Sequence, residues 1–96
     1  MEELTKVYRV RLLPRAQDDI EETVIWLELS SSDGAIRWLQ FLNEALDRIA
    51  SNPLSFGLAA EAEPLGWEIR EKLFKTPRGR VYRVLYLISE NEVVVV

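Results

Sequence analysis

The 96 residues contain no cysteine and no histidine. The first absence excludes disulfides and thiolate chemistry and leaves the redox compartment unmarked. The two together exclude zinc sites of the usual kinds, Ser-His-Asp triads and Cys-His pairs. No apolar run approaches the roughly 18 residues that span a bilayer. The opening Met1-Glu2-Glu3 is acidic and leads into no signal-peptide hydrophobic region. These features predict a soluble cytoplasmic protein with no membrane partner. Glycine and proline number only four each, so each marks a boundary worth reading.

What is present predicts one small domain over residues 1–96. The chain is 48% hydrophobic and 29% charged, which is a folded and not a disordered balance. Lys6 to Leu13 reads as a strand with Tyr8, Val10 and Leu12 on one side. Pro14 ends it and suits the first turn of a helix. That helix is predicted from Arg15 to Leu29, with Ala16, Ile20, Thr23, Val24 and Leu27 as its apolar stripe. Asp18, Asp19, Glu21 and Glu22 fall in its first turns, where the helix dipole explains them without a metal, so no metal or cofactor is expected. Ser30 to Gly34 is a polar break, with Ser32 or Asp33 as the next cap. A second helix is predicted from Ala35 to Ala50. Its main stripe is Ile36, Leu39, Leu42, Leu46 and Ile49, and Trp38, Phe41 and Ala45 form another.

Leu54 to Gly66 reads as a long loop that covers or binds something. Three strands follow, Trp67 to Lys75, Arg80 to Ile88 and Val93 to Val96. The turn Thr76-Pro77-Arg78-Gly79 joins the first two, and Ser89 to Glu92 joins the last two. The order β-α-α-β-β-β predicts an α+β fold. Its antiparallel sheet, an N-terminal strand and a C-terminal three-stranded meander, packs against a helical hairpin. In strand Arg80 to Ile88, Tyr82, Val84, Tyr86 and Ile88 share one side and are predicted to face the helices. Arg83 falls opposite, with Val81, Leu85 and Leu87.

Charge is uneven. The whole chain is −4, yet Arg70 to Arg83 holds six cations against the single acid Glu71 and is +5. A local positive stretch on an acidic protein predicts one surface for an anionic partner. Arg70 and Lys72 stand two apart on a strand and share a face suited to phosphates or an acidic peptide, or simply to water. Lys75, Arg78 and Arg80 surround the turn at Pro77, where they predict phosphate contacts at a groove rim or plain solubility.

Five blocks support a comparison. They are Pro14-x-Ala16-x-x-Asp19-Ile20, then Ala35 with Phe41-Leu42-x-x-Ala45-x-x-x-Ile49, then Asn52-Pro53 with Gly57. Glu68-Ile69-Arg70 and Tyr82-Arg83-Val84-Leu85-Tyr86 complete the set. In order and spacing the chain resembles the RelE/ParE superfamily of toxins from bacterial type II toxin–antitoxin modules, over essentially its whole length. The resemblance implies a cognate antitoxin as partner, in a hetero-oligomer, whose tail wraps the toxin. It implies growth inhibition by one of two routes. RelE-like members are endoribonucleases that cut messenger RNA on the ribosome. ParE-like members poison DNA gyrase and are not nucleases. A degenerate member would only bind its antitoxin.

The resemblance also gives Arg83 the nuclease role of stabilising a charged phosphorane-like state, as a guanidinium with two fixed donors can. The alternative is an arginine paired with Glu68 or Glu71 on the neighbouring strand. Lys72 is a weaker candidate, a general acid if its pKa falls. Family members continue past the last strand with a short basic tail. Four valines ending at Val96 therefore predict a chain lacking that tail, with a bare C-terminal strand edge. The acidic net charge also weighs against tight ribosome binding, since phosphate affinity rests on lysine and arginine.

Overall fold

A computed structural model describes residues 7–77 and 79–96. Lys6 and the residues before it, and Arg78, lie outside the described residues. β1 (Arg9–Leu12) leads directly into α1 (Pro14–Glu28), whose first position is Pro14, where a missing N–H is no loss. Because the helix starts there, Asp18, Asp19, Glu21 and Glu22 fall beyond its first turn. They form an exposed face and do not complement the dipole as the sequence suggests. α2 (Ser32–Ser51) is capped by Ser31, one residue earlier than predicted, with the hydroxyl oxygen accepting from the Gly34 N–H at 3.0 Å.

After α2 the predicted loop contains a 3₁₀ turn (Pro53–Ser55) and a short helix, α3 (Ala62–Leu65). Gly66 closes α3 at φ 72°, a left-handed conformation that favours glycine. β2 (Arg70–Lys75), β3 (Val81–Ser89) and β4 (Glu92–Val95) then form the antiparallel meander that the turns predict. The Gly79 N–H donates to the Thr76 carbonyl at 2.9 Å and closes the β2–β3 turn.

The sheet order is β1-β4-β3-β2, and β1 pairs with β4 in parallel, so the sheet is mixed. β4 therefore lies between two strands. The four valines expected to form a bare edge are instead interior, with Val93 to Val95 buried. The Arg11 guanidinium and Glu92 carboxylate bridge β1 and β4 at 3.2 Å.

The core lies between the helices and one sheet face. Trp38, Leu42 and Ile49 of α2 and Ala16 of α1 pack on Val84, Tyr86, Val93 and Val95. Tyr8, Val10 and Leu12 join from the first strand region, on the side the alternation predicts. Trp38, Phe74 and Tyr82 form an aromatic triad with centroids 5.4–5.8 Å apart. α2 buries residues of both predicted stripes. Leu42 and Ile49 of the first and Trp38 and Ala45 of the second are buried, and Leu39 and Leu46 pack against the same core, while Ile36 is 56% exposed. The two stripes lie side by side and together form the face of α2 that meets the sheet. The far sheet face is partly covered by the long loop, where Ala59, Ala62 and Ile69 pack on Leu85 and Leu87.

Candidate functional site

Pairing register decides which cations share a face. Directly opposed residues of antiparallel strands project to the same side. Arg70 opposes Tyr86, and Lys72 opposes Val84, both core residues on the helix side. Arg83 opposes Leu73 and projects to the far side, as do its strand neighbours Val81 and Leu85. The single cationic surface expected from Arg70 to Arg83 is thus divided between two sheet faces. Arg83 and Lys72, the two catalytic candidates, lie on opposite ones.

Arg70, Lys72 and Arg80 each have a local contact. The Arg70 guanidinium donates to the Phe56 carbonyl at 2.7 Å, which ties β2 to the loop after α2. The Lys72 ammonium donates to the Leu73 carbonyl at 2.9 Å and stands 5.2 Å from the centre of the Phe56 ring. Lys75 is exposed and borders a shallow depression with Phe41, Glu44 and Arg48. The Arg80 guanidinium lies 5.4 Å from the centre of the Trp26 ring, joining the β2–β3 turn to the end of α1. Arg78 lies outside the described residues.

Arg83 is the most engaged. One guanidinium nitrogen donates to Glu61 Oε1 at 3.0 Å and to Glu71 Oε2 at 3.2 Å. The other nitrogen pairs with Glu61 Oε2, which completes a two-pronged contact. Glu71 is the strand neighbour that the sequence offers. Glu61 takes the place expected of Glu68. It reaches Arg83 because the loop folds back over Leu85 and Leu87. The Arg83 hydrogen bond holds the Glu61 carboxyl below its ordinary value of 4.5. The bonds to Glu61 first and Glu71 second push the Arg83 guanidinium further up from its ordinary value.

Behind this face, Tyr86 is fully buried and its hydroxyl donates to the Pro53 carbonyl at 2.6 Å. Burial pushes its phenol above the ordinary value of 10.0. Glu61 and the Tyr86–Pro53 bond are the two contacts that sequence reasoning misses. The signal for the first is an acid in the loop before a strand arginine. No grouping of three or more acidic side chains positioned to hold a metal occurs among the described residues. Among the same residues no helix is long and apolar enough to cross a membrane.

A helical hairpin packed on one face of a four-stranded sheet, with an arginine projecting from the third strand, defines the RelE/ParE class of small toxins. The family model described as the ParE toxin of type II toxin-antitoxin system, parDE, matches residues 10–96, and the chain belongs to that family. No curated protein and no solved structure matches it. The chain is therefore the toxin component of a type II toxin–antitoxin module, and a cognate antitoxin is its partner.

Proposed function

We propose that this toxin inhibits growth by occupying DNA gyrase and cuts no messenger RNA. The observation that carries the reading is the state of Arg83. Both terminal nitrogens of its guanidinium are held by carboxylates, Glu61 and Glu71. A phosphate would have to displace Glu61 and then stand beside Glu71, a like charge. An arginine so held ties a loop to a strand. It is poorly placed to stabilise charge that develops on RNA. Lys72, the other catalytic candidate, lies on the opposite sheet face.

The purified toxin tests this in two reactions. Incubated with DNA gyrase and relaxed plasmid, it is expected to inhibit supercoiling. Incubated with translating ribosomes, it is expected to leave the messenger intact. Cleavage of the messenger with undisturbed supercoiling would contradict the proposal. Inactivity in both reactions, with antitoxin binding retained, would mark a toxin that has kept only its partner.

A further inference from the structure

β2 is an outer strand of the sheet, with β3 on its inner side. Its outer edge is only half covered. The Ala59 N–H donates to the Ile69 carbonyl at 2.8 Å, and the Glu71 N–H donates to the Gly57 carbonyl at 3.0 Å. The loop after α2 thus pairs with the start of the strand and then leaves it. With a strand period of two, the backbone groups of Leu73 and Lys75 project to the same side as those of Glu71. Among the described residues no acceptor meets the Leu73 or Lys75 N–H, and the Leu73 carbonyl is held by the Lys72 ammonium alone. This stretch is a template for one more strand, on the line that the loop begins.

A depression of about 200 Å³ lies beside the open stretch, between α2 and β2. Buried Ala45 and half-buried Phe41 and Phe74 give it an apolar lining. Its charged lining is Arg48 and Lys72 against the single acid Glu44, with Lys75 at its border. Lys72 opposes Val84 and lies on this helix side, whereas Leu73 and Lys75 oppose Arg83 and Val81 and project to the far side. Leu73 is 53% exposed there. Each side of the edge therefore offers an apolar contact and a cation. None of Arg48, Lys72 and Lys75 is held by a carboxylate among the described residues.

That pattern selects the occupant. An added strand also alternates, so it needs apolar side chains for the depression and for Leu73, and acidic ones for the cations. A second copy of the chain does not meet these needs. The register that sets Glu71 against Lys75 of the copy is blocked, because Gly57 already takes the Glu71 N–H. The neighbouring register gathers Lys72 and Lys75 of both copies around one axis, where like charges repel.

We infer that an acidic, extended segment of the antitoxin adds to the β2 edge at Leu73 to Lys75. Its main chain accepts from the Leu73 and Lys75 N–H groups. One apolar side chain fills the depression over Ala45, and acidic side chains meet Arg48, Lys72 and Lys75. Strand addition supplies affinity through main-chain bonds, and the depression and cations supply selectivity. The inference rests on the antitoxin being the partner, and it adds where, in what conformation and with what charge that partner binds. It holds whichever cellular target the toxin has.

Hydrogen exchange measured on the full-length toxin, free and with its cognate antitoxin co-expressed from the adjoining gene, tests it. The Leu73 and Lys75 amides are expected to slow at least tenfold in the complex. Leu73→Pro removes one outward donor without touching a bond to β3, and is expected to raise the antitoxin Kd at least tenfold. The double variant K72E/K75E is expected to do the same with an unchanged circular dichroism spectrum. If the antitoxin binds and both amides exchange as in the free toxin, the docking inference is wrong and the family reading stands. If the wild-type toxin binds no antitoxin, the family reading fails with it. Protection that grows with concentration in the toxin alone would assign the edge to a second copy and overturn the inference.

Discussion

Tyr86→Phe removes one oxygen from the centre of the fold and leaves the ring in place. The hydroxyl is fully buried and donates at 2.6 Å to the carbonyl of Pro53, which begins the 3₁₀ turn after α2. A hydrogen bond of this kind contributes about 0.5–1.5 kcal/mol net, and an acceptor left buried and unpaired costs about 1–3 kcal/mol. The expected destabilisation is therefore about 1–2 kcal/mol, or a fall in Tm of roughly 5–15 °C for a domain of this size. Thermal and urea denaturation of the purified protein would read it. The alkaline limb gives a second signature. Burial raises the folded phenol above 10.0, so the contribution is fully present below that pH and is lost as pH rises through the folded value. The Phe variant lacks that loss. A variant as stable as wild type at neutral pH would refute the assignment of this bond as the anchor of the loop.

Three other outcomes follow from the same structure. Ile49→Ala empties a fully buried site and should cost about 2–5 kcal/mol, whereas Ile36→Ser, at a position 56% exposed, should stay within about 0.5 kcal/mol in urea unfolding. Equal losses would contradict the difference in burial between the two positions. The Glu61 carboxyl should titrate by NMR with a midpoint below 4.5. The clamp is then present above 4.5 and lost as pH falls through the folded value, and a midpoint at or above 4.5 would show that Arg83 is not held. Glu61→Gln should loosen the Arg83 side chain, read as a lower Nε–H order parameter, without altering the circular dichroism spectrum.

Local pattern made much of this fold legible. Alternation in Tyr82, Val84, Tyr86 and Ile88 identifies the strand face that packs on the helices, and Pro14 marks the start of α1. What the sequence leaves open depends on contacts far apart along the chain. The parallel pairing of β1 with β4 joins residues about 80 positions apart and has no local signature. α2 carries two apolar stripes that both reach the core, and only the docked sheet shows that Ile36 is left outside it. For the site, a spacing of two shows that Arg70 and Lys72 share a face. Which face depends on the register with β3. Glu61 escapes because a loop acid and a strand arginine meet only once α3 folds over Leu85 and Leu87.

The central claim is that this toxin acts by binding and leaves RNA whole. Mapping of messenger 5′ ends across the transcriptome, minutes after the toxin is induced in cells lacking its antitoxin, tests that most directly. Unchanged messenger ends together with chromosomal breaks at gyrase sites are the predicted result. New ends clustered within translated codons, abolished by Arg83→Ala, would contradict it.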